Sequence, residues 1–232
     1  MSADWSDEIV KRARVHAALG EPARLAIVDM LALGDAAPGE IGAHLTMPTN
    51  LVAHHLRVLQ DAGVVDRSRS HGDARRTYVR LNLEVAGAVG NAMAAPAARI
   101  VFVCTHNSAR SQLAAALWPD RSSVPAVSAG TQPGTVHPRT IAVARRHRVS
   151  LDRPPLTRDV KDVLRNDDLV VAVCDNAHEQ MPAAIKRLHW SVADPAIVDT
   201  DAAFEAAFAE IATRLDRLAQ AVHLPGGSRD RN

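Results

Sequence analysis

Two rhythms of apolar and polar positions divide this chain. Over roughly its first 95 residues, apolar side chains return every three or four positions, as on one face of a helix. Residues 8–19 carry Ile9, Ala13, Val15, Ala17 and Leu19 in that pattern. A second helix opens at Glu21-Pro22, where a proline is tolerated in the first turn, and runs to about residue 33. Pro38-Gly39 punctuates, and a short helix reaches Leu45. Pro48 opens another, with Leu51, Val52, Leu56 and Leu59 on its apolar face, and Gly63 stops it. The period then shortens. Residues 64–69 and 76–83 read as strands around His71-Gly72-Asp73-Ala74, a hairpin turning at Gly72-Asp73. A last helix is expected over 84–94.

Residues 93–98 are small apart from Met93 and include Pro96; we take 96–98 as a linker between domains 1–95 and 99–222. Beyond it, Arg99-Ile100-Val101-Phe102-Val103 is a short continuous apolar run, the signature of a buried parallel strand. Leu169-Val170-Val171-Ala172-Val173 is another, and 126–128 and 188–192 are weaker ones. Helix patterns cover 112–117, 138–147 and, at greater length, 202–222. Strands alternating with helices predict a three-layer α/β domain on a parallel four-stranded sheet, behind a mainly α winged helix-turn-helix. Residues 223–232 are polar and read as a frayed tail.

Composition narrows the classes of function. Apolar residues make up 47%, enough for a packed core, and the net charge of +1 gives no general attraction to nucleic acid or membrane. Local charge must carry any such argument. The two cysteines, Cys104 and Cys174, are too few for a disulfide scaffold or a thiolate zinc site. The first eight residues lack the apolar core of a signal peptide, and the longest apolar stretch is broken by Asn91, Pro96 and Arg99. The expectation is a soluble cytoplasmic protein with no bound cofactor and no metal.

The chemistry concentrates at Cys104-Thr105-His106-Asn107-Ser108-Ala109-Arg110-Ser111, which follows the first apolar strand and opens a helix. Open α/β sheets place ligands at such strand ends. Five residues between Cys104 and Arg110 are enough to wrap backbone N–H groups around a tetrahedral anion, to which a helix N-terminus adds positive charge. The Arg110 fork grips two oxygens, and the same field favours a thiolate aimed at the central atom. Ser111 is placed to steady that thiolate.

With Ser128-Ala129-Gly130, His137-Pro138 and His189-Trp190-Ser191-Val192-Ala193-Asp194-Pro195-Ala196 following in order, the region from 99 to about 220 resembles the arsenate reductases built on the low-molecular-weight protein tyrosine phosphatase fold. The resemblance implies that Cys104 is the nucleophile, that residues 104–111 bind arsenate, that Asn107 holds the loop's shape and that Asp194 protonates the departing hydroxide. A phosphatase needs only Cys104, Arg110 and Asp194, then water. A reductase also needs a second thiol. Thioredoxin-using members of the family carry two further cysteines seven residues apart. Here Cys174 matches the first and Met181 stands at the second. Either Cys174 resolves the Cys104 intermediate, or an external thiol of mycothiol, glutathione or thioredoxin type does. Against an aryl substrate, Ala196 follows Asp194-Pro195, and the whole chain holds one Tyr, three Phe and three Trp.

In the first domain, Ala18-Leu19-Gly20-Glu21-Pro22-Ala23-Arg24-Leu25-Ala26-Ile27 and His55-Leu56-Arg57-Val58-Leu59-Gln60-Asp61-Ala62-Gly63 resemble the ArsR family of repressors, which implies binding to double-stranded DNA as a homodimer. The recognition helix would offer Thr49, Asn50, His54 and Arg57, and the wing Arg67, Arg69, Arg75 and Arg76. From His54 to Arg80 there are six Arg against three Asp, a patch suited to phosphates. His16, His44, His54 and His55 are expected on helix surfaces or facing DNA. The first 98 residues contain no Cys, so the thiolate cluster of arsenic-sensing members is missing, and Ala53 stands where the family often has Ser. Three functions therefore stand side by side: an arsenate reductase fused to a regulator, a phosphatase fused to a DNA-binding domain, and a non-catalytic oxyanion-sensing repressor.

Overall fold

A computed structural model describes residues 5–82, 85, 95–151 and 156–224. The chain divides into two compact units, Met1–Arg69 with Arg75–Ala92 and Ser70–Ala74 with Met93–Asn232.

The first unit begins with helix α1 (Asp7–Leu19), whose N-cap Ser6 accepts the Ile9 N–H and whose first turn holds Asp7 and Glu8 against the helix dipole. Helix α2 (Pro22–Leu31) is capped by the Glu21 carboxylate. Helices α3 (Pro38–His44) and α4 (Thr49–Asp61) follow, with Pro48 as the N-cap of α4. Gly63, at φ 71, takes the left-handed turn that ends α4, and Val64 N–H then bonds the Leu59 carbonyl. Strands β1 (Val65–Arg69) and β2 (Thr77–Leu81) pair antiparallel from Val65↔Leu81 to Arg69↔Thr77, the predicted wing. Ile27, Val28, Leu31, Ile41, Val52, Leu56, Leu59, Val64 and Val79 form the core between these elements. One expectation fails here. His55 is not on the helix surface but buried on the inner side of α4, its Nδ1 3.5 Å from Glu21 Oε2. It shares a face with Val52 and Leu59, so helical period places it inward. The helix expected over 84–94 lies outside the described residues except for Val85.

The second unit is built on four parallel strands in the order β5-β4-β6-β7: β4 (Arg99–Cys104), β5 (Ala126–Gly130), β6 (Asp168–Ala172) and β7 (Arg187–His189). Central β4 is apolar and buried along most of its length, as its continuous apolar run requires. Helices α5 (Arg110–Leu117), α6 (Pro138–Arg146), α7 (Val160–Val163), α8 (Asp175–Gln180), α9 (Pro195–Val198) and α10 (Asp201–Ala221) complete the α/β pattern. The short α7, α8 and α9 were not foreseen; one turn carries too little periodicity to read. Phe102 packs between Trp118 and Trp190, with ring centroids 6.1 and 6.0 Å away.

Part of the stretch read as a linker, 96–98, is paired. Strand β3 (Ala95–Pro96) pairs parallel with β8 (Val222–His223), Ala97 is buried, and its N–H bonds the His223 carbonyl. The pairing is with the two residues that follow α10, and composition alone cannot tell such an edge from a linker.

Candidate active site

The carboxyl ends of β4, β5 and β6 bring Cys104, Gly130 and Cys174 to one edge of the sheet. From Cys104 the chain turns through residues 105–109 into α5. Its carbonyls are taken from outside the turn: Cys104 O by Thr131 N–H, Thr105 O by Gln132 N–H, His106 O by Gly134 N–H and Ser108 O by His137 N–H, at 2.8 to 3.1 Å. In a trans peptide the N–H points opposite to its C=O. Outward carbonyls therefore aim the N–H groups of Thr105, His106, Asn107 and Ala109 into the concavity. Converging N–H groups of this kind are what the expected anion nest requires. Gly130 makes room for it: a Cβ there would stand 2.8 Å from Thr105 O and 2.9 Å from Asn107 N.

Asn107 holds the turn. It adopts φ 51, a left-handed conformation that Asn tolerates. Its Nδ2 donates to Ser111 Oγ at 2.9 Å, and its Oδ1 accepts the Arg158 N–H at 2.9 Å and Gln112 Nε2 at 3.3 Å. Because Ser111 Oγ accepts from Asn107, its own proton is free to point at Cys104 Sγ, 3.0 Å away. Thr140 Oγ1 and the His137 N–H both bond Ser108 O, fixing the far side. His106 is exposed and donates from Nδ1 to Gln132 O.

Arg110 is buried at the start of α5. One arm donates to Val192 O at 2.9 Å and the other to Asp194 Oδ2 at 2.6 Å. Burial works against its charge, but Cys174, Cys104, Asp194 and Asp175 nearby outweigh that and hold its pKa above the usual arginine value. Asp194 Oδ1 caps α9 by accepting the Ala196 N–H. Cys174 is a free, buried thiol that caps α8 through the Ala177 N–H and lies 3.6 Å from Thr105 Oγ1. Burial pushes its pKa up, Arg110 pulls it down and Cys104 pushes it up again, for a net rise. Asp175 follows it, also buried; its carboxyl is held low despite burial, chiefly by His189 Nε2 at 2.8 Å. The motifs Cys104–Ser111, Asp194 and Cys174 thus come together. Gln112, His137, Thr140 and His189 support them; His137 and His189 stand in the motif series, but no role follows there for any of the four, because hydrogen bonds between distant segments leave no periodic trace. Among the described residues no group of three or more His, Cys, Asp or Glu is set to hold a metal ion.

In the first unit Thr49, Asn50, His54 and Arg57 lie exposed on the outer side of α4, opposite Val52 and Leu59. Arg67, Arg69, Arg75 and Arg76 are exposed on and beside the wing strands.

Fold and site together define an α/β enzyme with a cysteine at the start of a strand-to-helix loop. The model of the low molecular weight phosphotyrosine protein phosphatases matches residues 99–225, more than half of the chain, and the chain belongs to that family. Residues 21–67 match the model of bacterial regulatory proteins of the arsR family, so a helix-turn-helix of that kind precedes it. Arsenate reductase 1 of Bacillus cereus (strain ATCC 10987 / NRS 248) is 37% identical over 107 residues, 42% of this chain and 76% of the relative. Arsenate reductase of Bacillus licheniformis is 31% identical over 134 residues, 52% of this chain and 94% of the relative. Among solved structures, an arsenate reductase from Archaeoglobus fulgidus DSM 4304 is 29% identical, covering 52% of this chain and 98% of that one, with a TM-score of 0.46.

Proposed function

We propose that this chain reduces arsenate to arsenite and couples that chemistry to an arsR-type DNA-binding domain, in arsenic detoxification. The observation that carries the reading is the second buried thiol. Phosphate-ester hydrolysis does not call on a second thiol, whereas a reductase needs one, and Cys174 lies against Thr105 in the nucleophile's loop. The Cys104 thiolate attacks arsenic, forming an S–As bond. Asp194 gives its proton to the departing hydroxide, which leaves as water. The loop N–H groups and Arg110 hold the remaining oxygens. The Cys174 thiolate then attacks Cys104 sulfur. The S–As electron pair leaves on arsenic, which departs as arsenite, and a Cys104–Cys174 disulfide remains. An external thiol restores it. We place the reaction in a reducing cytoplasm with the chain paired as a homodimer through its first unit. Among the described residues no helix is long and apolar enough to cross a membrane.

Arsenate reduction assayed with the purified chain against thioredoxin and small-thiol reductants tests this, with Cys104→Ser and Cys174→Ser alongside. Turnover in Cys104→Ser would sink the reading. The family match favours a second one, a phosphatase; aryl-phosphate turnover exceeding arsenate turnover would establish it.

A further inference from the structure

Cys174 and Met181 bound the short helix α8, and both are buried. A six-residue helix has no stability of its own. Here it is tied down at each end and at one side. At its end, Arg187 of β7 spends its whole guanidinium on residues 178–185. Nε donates to His178 Nδ1 at 3.2 Å. One terminal nitrogen donates to Pro182 O at 2.9 Å and Ile185 O at 2.7 Å, the other to His178 O at 2.5 Å and Met181 O at 3.2 Å. At its start, His189, two residues along β7, bonds Asp175, and the His189 ring stacks on His178 with centroids 4.1 Å apart. At its side, Gln180 Oε1 accepts from Thr131 Oγ1 at 2.9 Å, in the segment that also anchors the oxyanion loop.

We infer that the Cys104–Cys174 disulfide stays inside the fold and is opened by a small thiol that enters through the oxyanion mouth, not by a dithiol protein. This rests on the reductase reading of the site. Thiol–disulfide exchange needs the attacking sulfur to approach a disulfide sulfur directly, so access decides which thiol reacts. Both sulfurs are buried, and a cysteine borne on another folded surface reaches them only if α8 peels away. Arg187 and His189 oppose that, and residue 181 supplies a buried thioether, which takes no part in thiol–disulfide exchange. A small thiol needs only the passage that admits arsenate. Its thiolate attacks Cys104 sulfur, forming a mixed disulfide and releasing the Cys174 thiolate. A second small thiol attacks the mixed disulfide, leaving as the small disulfide and restoring Cys104. Two thiols are oxidised for each arsenic reduced from the +5 to the +3 state, and one water is released.

The test uses the full chain oxidised with diamide, so that it does not depend on arsenate chemistry, and follows free thiols and intact mass. Diamide forms the Cys104–Cys174 disulfide. Millimolar glutathione opens it, while micromolar thioredoxin with its reductase leaves it largely closed. Arg187→Ala raises the thioredoxin rate by about tenfold or more and the glutathione rate by no more than about twofold. Gln180→Ala, at an exposed position, gives a smaller change in the same direction and serves if Arg187→Ala does not fold. Failure to form the disulfide overturns the inference. So does thioredoxin opening the wild-type disulfide as fast as that of the variants. A protein that opens and closes this disulfide as described yet does not reduce arsenate overturns the reductase reading instead.

Discussion

Asp194 and Arg110, brought together across the sheet edge from distant parts of the chain, form a 2.6 Å ion pair at the mouth of the oxyanion loop. The group assigned to protonate the leaving hydroxide thus occupies the fork assigned to grip the oxyanion. On the proposed mechanism an arriving dianion competes with Asp194 for Arg110, and the carboxylate it displaces takes up a proton from arsenate or water, which it then gives to the leaving hydroxide.

Asp194→Asn separates those two roles. The amide neither competes as a charge nor donates a proton as an acid. Inhibition by inorganic phosphate is expected to tighten, while arsenate turnover falls by about a hundredfold or more. Steady-state kcat together with a phosphate inhibition constant checks both halves. A loss of affinity and rate together would show that Asp194 only supports the loop.

Ser111 offers a cleaner probe of the nucleophile. Its hydroxyl accepts from Asn107 and reaches Cys104 Sγ at 3.0 Å. Ser111→Ala removes the hydrogen bond that would stabilise a thiolate during attack, worth about 1.5 kcal/mol, or roughly tenfold in rate. Alkylation of Cys104 by iodoacetamide at neutral pH, in a Cys174→Ser background, is expected to slow by about that factor.

What was legible in the sequence follows the physics of each feature. The β4 run and the Cys104-to-Arg110 spacing are local, so strand, loop and helix start were all readable from adjacent residues. The outer face of α4 was readable from helical period, and the same period puts His55 inside once Val52 and Leu59 are recognised as its neighbours. That Arg110 and Asp194 belong to one site was legible only through the motif series, and their ion pair was not legible. The Arg187 clamp was not legible at all: its acceptors are backbone carbonyls, which any residue supplies. Nor was the pairing of residues 95–96 with 222–223, since a Pro-containing stretch of small residues reads equally as linker or edge strand.

Cys174 sets a pH dependence. Burial raises its pKa, and with the opposing pull of Arg110 and the push of Cys104 the net shift remains upward. The attacking species is the thiolate. A raised pKa leaves less of it at neutral pH, so closure of the disulfide speeds up as pH rises through and beyond the ordinary cysteine value of about 8.5. Thr105 bonds that sulfur and pulls the pKa down. Thr105→Val is therefore expected to slow closure at neutral pH and to shift its pH profile to higher values. Single-turnover formation of the disulfide with arsenate, followed by mass, measures both. A profile that is flat across this range would remove Cys174 from the step.

Arg99 and Asp168 join the first residues of β4 and β6 through a doubly bonded pair at 2.8 and 2.6 Å, and the Asp168 side chain is fully buried. Burial alone would raise its pKa; Arg99 and the Arg165 N–H reverse that and hold it below the usual carboxylate value. A carboxyl with a depressed pKa contributes stability above its unfolded value of about 3.9 and loses it as pH falls toward the folded value. Arg99→Ala leaves the buried carboxylate with the Arg165 N–H but without its ion-pair partner and is expected to cost about 3 kcal/mol at neutral pH. Urea unfolding monitored by tryptophan fluorescence checks the loss. In the variant the acid-side fall in stability should also shrink.

The last prediction concerns the first unit. Asn50 and Arg57 lie on the exposed side of α4, while Arg67 and Arg69 point outward from β1. A helix that enters the major groove reads base edges near its N-terminus, and a basic wing reaches phosphates. These contacts fail in different ways. Arg67→Ala should weaken binding to all duplexes alike and lower the slope of log affinity against log salt by about one, since one phosphate contact and its released counterion are lost. Asn50→Ala should leave that slope unchanged and shrink the gap between the preferred site and random duplex, by about tenfold for one lost base contact. Fluorescence anisotropy with both duplexes across a salt series separates the two. Equal salt slopes for wild type and Arg67→Ala would take the wing off the DNA.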